Sequence, residues 1–368
     1  MISFAPTEEQ SIVVSTMRTF AREVLRPAAR AADEAEALPE AVLSQAWSLG
    51  FVAAQVPEAY GGGGEERSPV TNALVLEALA HGDPALSLAV AHAAAFVFAL
   101  LDHGTERQKR AWLPPLCGDA FSAGALAVME PTPAFTPAAT VTQARPFDGG
   151  FALSGTKCCV PLADRADRFL VLARVVQSGA PGPLAGFVVP RGAAGLSVEP
   201  EKNLGLRALP TGRLLLEGVR VSREDVLGES TDLDAAHLLS AARAASAAVL
   251  VGLSCAVMDY VVPYAKERRA FGQFIAQKQS IAFMLADMRV ETDAMRWLTW
   301  KAASELERGE TATQPAYAAW RYAAEQAMTI ADNGLQILGG HGYIREHPIE
   351  LWYRGVRTLS VLEGLASL

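Results

Sequence analysis

Tyr264-Ala-Lys-Glu-Arg-Arg-Ala-Phe-Gly272 sits in the second of two helical regions, and the order of those regions around a strand-rich middle decides the fold. From Asp232 onward, long Ala-, Leu- and Met-rich patterns at helical spacing run almost to the end of the chain. Between residues 121 and 230 the character differs. Short apolar stretches (Phe121–Val128, Phe151–Ser154, Phe169–Val175, Gly186–Val189, Leu214–Val221) alternate with turn signals, and Asp148-Gly149-Gly150 reads as a hairpin turn. Residues 1–120 read as helices. Thr7-x-x-Gln10 and Thr105-x-x-Gln108 are capping boxes, and Val13, Met17, Phe20 and Val24 follow the first at helical spacing. Asp83-Pro84 is an N-cap followed by proline at the first helical position. Pro57-Glu-Ala-Tyr-Gly-Gly-Gly-Gly64 reads as a flexible loop. Helices, then strands, then helices is not the alternation of a doubly wound fold. The expectation is an α+β chain, mainly α, with a helical domain at 1–120, a small β domain at 121–230 and a second helical domain at 231–368.

With 51% hydrophobic and 20% charged residues among 368, the composition is that of a globular chain rather than a disordered one. A formal charge of −8 disfavours nucleic acid as a partner. The opening Met1–Gln10 lacks the basic-then-apolar pattern of a signal peptide. Leu86–Leu101, which carries His92, is too short to span a bilayer comfortably and reads as a buried helix, so no membrane span is expected. Four cysteines without even spacing point to a reducing compartment, hence the cytoplasm. Adjacent Cys158 and Cys159 suit neither a zinc site nor an ordinary disulfide, and all four cysteines read as small buried apolar residues, with no metal site expected. The chain has no Gly-x-Ser-x-Gly elbow, His-Glu-x-x-His pair or Walker loop, and Gly339-Gly-His-Gly342 alone reads as a helix break or tight turn.

Several ordered segments together resemble the acyl-CoA dehydrogenase family over nearly the whole chain. They are Pro57-Glu-Ala-Tyr-Gly-Gly62, Leu204-Gly-Leu-Arg207 through Val219–Gly228, and Tyr264-Ala-x-x-Arg268-x-x-Phe271-Gly272 with Gln279 and Leu285-Ala-Asp-Met288 after it. Gln336-x-x-Gly339-Gly340-x-Gly342-Tyr343 and Glu363-Gly364 complete the set. The resemblance implies a middle β-barrel or sandwich, a C-terminal four-helix bundle, and FAD bound across a subunit interface of a homotetramer or heterotetramer. Arg268, Phe271 and Gln279 fall where the family contacts the FAD of a neighbouring subunit. Arginine offers a fixed fork of donors for a pyrophosphate. Gln336 and the backbone at Gly340 fall on adenine-side contacts, Met129 on the flavin loop, and Cys159 where the family often places a tryptophan on the flavin. Glu363 matches the catalytic base that removes the α-proton of an acyl-CoA, with hydride passing from the β-carbon to flavin N5, and Arg243 matches an arginine near that base. The implied setting is fatty acid metabolism. The implied partners are an acyl-CoA or acyl carrier protein substrate and an electron-transfer flavoprotein or similar acceptor.

The chain departs from the family pattern at four places. Met129-Glu-Pro-Thr-Pro-Ala-Phe-Thr136 stands where Thr-Glu-Pro-x-x-Gly-Ser-Asp is usual, so Ala134-Phe135-Thr136 replaces Gly-Ser-Asp. Cys159 replaces tryptophan, Arg354-Gly355 an Arg-Asp pair, and Leu365 a threonine. These departures keep two alternatives open: a flavin-poor or non-catalytic subunit of a heteromeric acyl-CoA dehydrogenase, as in steroid degradation, or a flavin monooxygenase on the same fold.

Overall fold

A computed structural model of the chain describes residues 5–133 and 135–368. Met1–Phe4, the first four residues of the opening segment read for a signal peptide, and Ala134 of the flavin loop lie outside the described residues. The first lobe comprises α1 (Glu8–Phe20), α2 (Arg26–Ala35), α3 (Glu40–Ser48), α4 (Pro69–Ala80), α5 (Pro84–Val90), α6 (Ala94–His103) and α7 (Glu106–Trp112). The Thr7 and Thr105 capping boxes and the Asp83 cap all form as the sequence predicts. A π-turn, Ala21–Leu25, joins α1 to α2. Pro27 has no N–H for the carbonyl four residues back, so the ladder widens ahead of it.

Two expectations for this lobe are corrected. Leu86–Leu101 is not one helix: α5 and α6 meet at a 40° bend. Ala91 leaves helical geometry at ψ 4°, and His92 Nδ1 bonds the Ala89 carbonyl at 2.7 Å. The run Pro57–Gly64 is not a flexible loop but a bonded turn, in which the Gly63, Gly64 and Glu65 amides donate to the Ala53, Val56 and Ala54 carbonyls. A Cβ at Gly62 would stand 2.1 Å from the Val56 carbonyl oxygen, so the glycine is there for close approach.

The middle lobe is a curled seven-stranded sheet. Its strands are β1 (Gly124–Ala127), β2 (Gln143–Phe147), β3 (Gly150–Pro161), β4 (Arg168–Gln177), β5 (Ala180–Pro190), β6 (Leu196–Glu201) and β7 (Thr211–Ser222). The order is β1-β4-β2-β3-β7-β6, with β5 on the outer side of β4. Asp148-Gly149 turns β2 into β3, with Gly149 at φ 88°. Sequence patterning missed β2 and β6, which are mostly exposed.

The last lobe holds α8 (Ala235–Glu267), the hairpin strands β8 (Arg269–Ala270) and β9 (Gln273–Phe274), α9 (Gln279–Glu307), α10 (Thr313–Leu338) and α11 (Ile349–Leu359). At 33 residues α8 is about 50 Å long and apolar on nearly every side, as befits a helix at the centre of a bundle. It is the one unbroken helix among the described residues long and apolar enough to cross a membrane, and 72% of that window is buried inside the molecule. Gly252 lets it close on α4: a Cβ there would lie 2.1 Å from the Glu77 carbonyl oxygen. Leu362, Leu365, Ala366 and Leu368 at the chain end belong to the same core as α8 and α10.

Candidate functional site

α11 delivers Glu363. The helix is braced along its length: the Arg354 guanidinium takes both oxygens of Asp33 at 3.0 and 2.8 Å and a Glu350 oxygen at 2.9 Å. Glu350 also meets Arg30. Arg207 pairs with Glu36 at 2.5 Å, and the Gly205 amide donates to Thr358 Oγ1 at 2.9 Å. The helix that leads into Glu363 is thereby tied to α2 and to the β6–β7 connection of the β lobe. Arg354-Gly355, a departure from the family pattern, fits this brace, because Gly355 lies against Pro84 and a Cβ would meet its Cγ at 3.1 Å.

The chain then turns. Gly364 adopts φ 80°, and a Cβ there would stand 2.8 Å from Val128 Cγ2, so Glu363 must be followed by glycine. The Glu363 side chain is 8% exposed. Its two oxygens take Arg243 Nε at 2.8 Å and Nη2 at 3.3 Å, a forked pair. Arg243 comes from α8, and its guanidinium lies over the rings of Tyr317 (5.2 Å) and Trp320 (5.9 Å) on α10. The Glu363 amide points at the β lobe, where it donates to Met129 Sδ at 3.3 Å. Glu363, Arg243 and Met129 thus form one largely buried cluster where the last lobe meets the β lobe.

Beneath it lies a second buried pair. Lys157 Nζ is fully buried and bonds Glu130 at 2.8 Å and the Val128 carbonyl at 3.0 Å. Glu130 also accepts from Thr142 Oγ1 at 2.5 Å and from the Val141 and Thr142 amides. Burial pushes the Lys157 amine down to about 8 despite Glu130. The pair pins the start of the Met129–Thr136 loop. Within that loop, Phe135 is half-buried and packs against the apolar cluster in which Phe96 and Phe98 of the first lobe join Leu126 and Val128 of the β lobe.

The remaining predicted residues stand elsewhere. Phe271-Gly272 is the two-residue turn between β8 and β9, with both residues left-handed at φ 53° and 83°. Phe271 is 94% exposed, and Lys278 Nζ lies 5.4 Å from its ring centroid. Arg268, at the end of α8, and Gln279, the first residue of α9, are exposed on the same corner. Gln336 is exposed and donates to the Tyr343 hydroxyl at 2.9 Å. Gly340 is open: a Cβ there would meet nothing within 4 Å, so no part of the chain itself approaches it. No hydrogen bond or ion pair among the described residues joins this exposed group to the Glu363 cluster. Cys159 is half-buried on β3 with its amide on Glu201 Oε2 at 2.6 Å. Only Cys158 of the four cysteines is buried, which corrects the reading of all four as buried apolar residues. The contact between Met129 and the Glu363 amide had no sequence signal beyond the family register.

Three family profiles match this chain: the acyl-CoA dehydrogenase N-terminal domain over residues 7–119, the middle domain over 125–219 and the C-terminal domain over 234–366. The chain is 31% identical over 365 residues to the 3-(aryl)acrylate reductase of Clostridium sporogenes, covering 98% of this chain and 96% of that protein. It is 31% identical over 366 residues to the mitochondrial short-chain specific acyl-CoA dehydrogenase of Bos taurus, covering 98% and 88%. In structure it is similar to butyryl-CoA dehydrogenase from Megasphaera elsdenii, with a TM-score of 0.90 at 27% identity over 100% of this chain and 96% of that one. With Glu363 held between the last lobe and the β lobe, and three family domains matching in order, this chain belongs to the acyl-CoA dehydrogenase family and is an oxidoreductase of that family.

Proposed function

We propose that this chain removes a hydrogen pair across the Cα–Cβ bond of an acyl-CoA thioester to give the trans-2-enoyl product, with Glu363 as the α-proton base. The observation that carries this reading is the Glu363 cluster, where a buried carboxylate is aimed by an arginine fork while its own amide faces a soft, displaceable sulfur. A thioester α-proton is weakly acidic, so its removal needs a donor on the carbonyl oxygen as enolate charge develops. The Glu363 amide is that donor once the substrate carbonyl takes the place of Met129 Sδ, a weak acceptor readily exchanged for oxygen. Arg243 holds the carboxylate in orientation, and the rings of Tyr317 and Trp320 hold Arg243. The lobes around the cluster exclude water and keep the proton transfer local.

FAD fits the residues present. Arg268 suits its pyrophosphate, Phe271 and Gln279 its adenosine half from one subunit, and Gln336 with the open backbone at Gly340 the other side of that half. Met129 and Cys159 flank the place of the isoalloxazine. When bound, FAD supplies the hydride acceptor for the β-carbon. A ring 94% exposed on a left-handed residue is costly in a lone chain and is accounted for by a neighbouring subunit. Phe283, Val290 and Tyr343 are exposed too, to a lesser degree, in keeping with a homotetramer. The electron acceptor in this reading is an electron-transfer flavoprotein, a class represented among similar solved structures by that of Acidaminococcus fermentans at 26% identity. The working domain limits are 1–120, 121–230 and 231–368, and the working location is the cytoplasm, in keeping with four free cysteines.

The test is the visible spectrum of the purified protein against a panel of acyl-CoA thioesters. Wild type is yellow and bleaches with a preferred substrate. Glu363→Gln stays yellow and does not bleach. A variant that bleaches at the wild-type rate removes Glu363 from the reaction. A heteromeric assembly is the second reading, favoured by the replacement of Gly-Ser-Asp with residues that include half-buried Phe135. A colourless protein that turns yellow only with a partner subunit selects it.

A further inference from the structure

The proposed reaction sets Cys159 beside the isoalloxazine but gives the thiols of Cys158 and Cys159 no chemical step. Neighbouring side chains on a regular strand project from opposite faces, so adjacent thiols there do not meet. β3 is not regular at this point. Lys157 pairs with Leu214 and Val160 with Gly212, leaving two cysteines opposite Arg213 alone in a β-bulge. Inside the bulge Cys159 takes φ 54°, a left-handed conformation few non-glycine residues adopt. With a single partner residue opposite both and the backbone turned at Cys159, the two side chains lose the alternation that would separate them.

The hydrogen bond from Cys159 holds the Cys158 thiol below its ordinary range, with burial and Glu201 opposing and Arg213 and Lys157 assisting. The same bond pushes the Cys159 thiol up. The bulge thus sets Cys158, whose thiol is held below its ordinary range, next to a second thiol at Cys159 placed to follow. Cys117 and Cys255 lie on other elements, and burial pushes the Cys255 thiol up to about 11.

The geometry points to a reversible vicinal disulfide between Cys158 and Cys159, formed by exchange with a low-molecular-weight disulfide of the glutathione class. The Cys158 thiolate attacks one sulfur of the small disulfide, whose S–S bond breaks and releases one small thiolate. Cys159 then loses its proton and attacks Cys158 sulfur, displacing the second small thiolate. Two protein thiols are oxidised and one small disulfide is reduced to two thiols. Adjacent Cα atoms lie about 3.8 Å apart, inside the roughly 4.4 Å lower limit of relaxed disulfides, so the ring is strained and readily reduced again. The Cys158 amide donates to the Met129 carbonyl at 2.9 Å, and Met129 Sδ accepts from the Glu363 amide at 3.3 Å. Closing the ring therefore shifts the group that caps the catalytic amide. This coupling rests on the dehydrogenase reading, whereas the disulfide does not.

The test treats native FAD-loaded protein with an aromatic disulfide that releases a coloured thiolate, followed by peptide mass mapping. The peptide holding both cysteines is expected to release two thiolates, lose two hydrogen atoms in mass and carry no adduct, and dithiothreitol restores it. Cys159→Ser stops after one thiolate with the aryl group retained on Cys158. Cys158→Ser slows the first step about tenfold or more, since the favoured thiolate is gone. An aryl adduct retained on the wild-type peptide, or a Cys159→Ser protein that behaves as wild type, overturns the disulfide. Oxidised protein is expected to lose substrate-dependent flavin bleaching several-fold. Unchanged bleaching overturns the coupling to Glu363 and leaves the disulfide standing.

Discussion

Glu363 and Phe271 sit on the two halves of one proposed site and could hardly be set more differently. Glu363 is buried, forked by Arg243 and backed by the Gly364 turn against Val128. Phe271 stands at the tip of a hairpin with 94% of its surface exposed. A single chain completes the proton-handling half from its own last lobe and β lobe. It leaves the half assigned to the cofactor's adenosine end unfinished, in the form expected of a surface that a second subunit covers.

The largest expected break in that comparison is Glu363→Gln. Turnover should fall about a hundred- to ten-thousand-fold while bound FAD and oligomeric state hold, as spectra and sedimentation would show. On the buried side again, Asp83 is the next lever. Burial pushes this N-cap carboxyl up to about 6 against the Leu86 amide bond that lowers it. Its folded pKa exceeds the unfolded value, so the folded state binds more protons between about pH 4 and 6 and this group's contribution to stability declines as pH rises through that window. Asp83→Asn keeps a capping oxygen and should flatten that slope, raising stability at pH 7 by about 2–3 kcal/mol in denaturant titrations.

On the exposed side, Arg268→Ala should weaken FAD retention by about ten- to a hundredfold, the worth of a charge-assisted contact, with a monomer of unchanged unfolding midpoint. Gly364→Ala meets both a left-handed backbone and Val128, and should cost about 1–3 kcal/mol and displace the Glu363 amide, seen as a fall in kcat larger than any change in KM. The smallest effect is Phe271→Ala in the isolated chain, where stability should move by less than about 0.5 kcal/mol. In the assembled protein, the same change should loosen the oligomer. Equal effects in both states would dissolve the contrast between the halves.

Local chemistry made much of the fold legible. Thr7, Asp83 and Thr105 cap as their side chains dictate, and Asp148-Gly149 forms its hairpin because glycine tolerates φ 88°. β2 and β6 escaped because most of their residues face solvent and prolines interrupt their pattern at Pro146 and Pro200. The α5–α6 bend escaped because Ala91-His92-Ala93 contains neither glycine nor proline, and its cause is a histidine bonded to the carbonyl three residues back. At the site, Glu363 and Arg243 were reachable only through the family register, being 120 residues apart in sequence. The bulge that sets Cys158 and Cys159 together opposite Arg213 had no sequence signal, because neither glycine nor proline marks it.

The brace on α11 has a consequence for how the molecule opens. Asp33, Glu36, Arg30, Arg207, Glu350 and Arg354 join the first lobe, the β6–β7 connection and the final helix through charges most of which are partly or fully buried. Exposing any one of these charges alone strands its partner away from water. Local fraying of α11 is therefore suppressed, and its amides should exchange with solvent together with those of α2, as one cooperative unit rather than as a loose end of the chain.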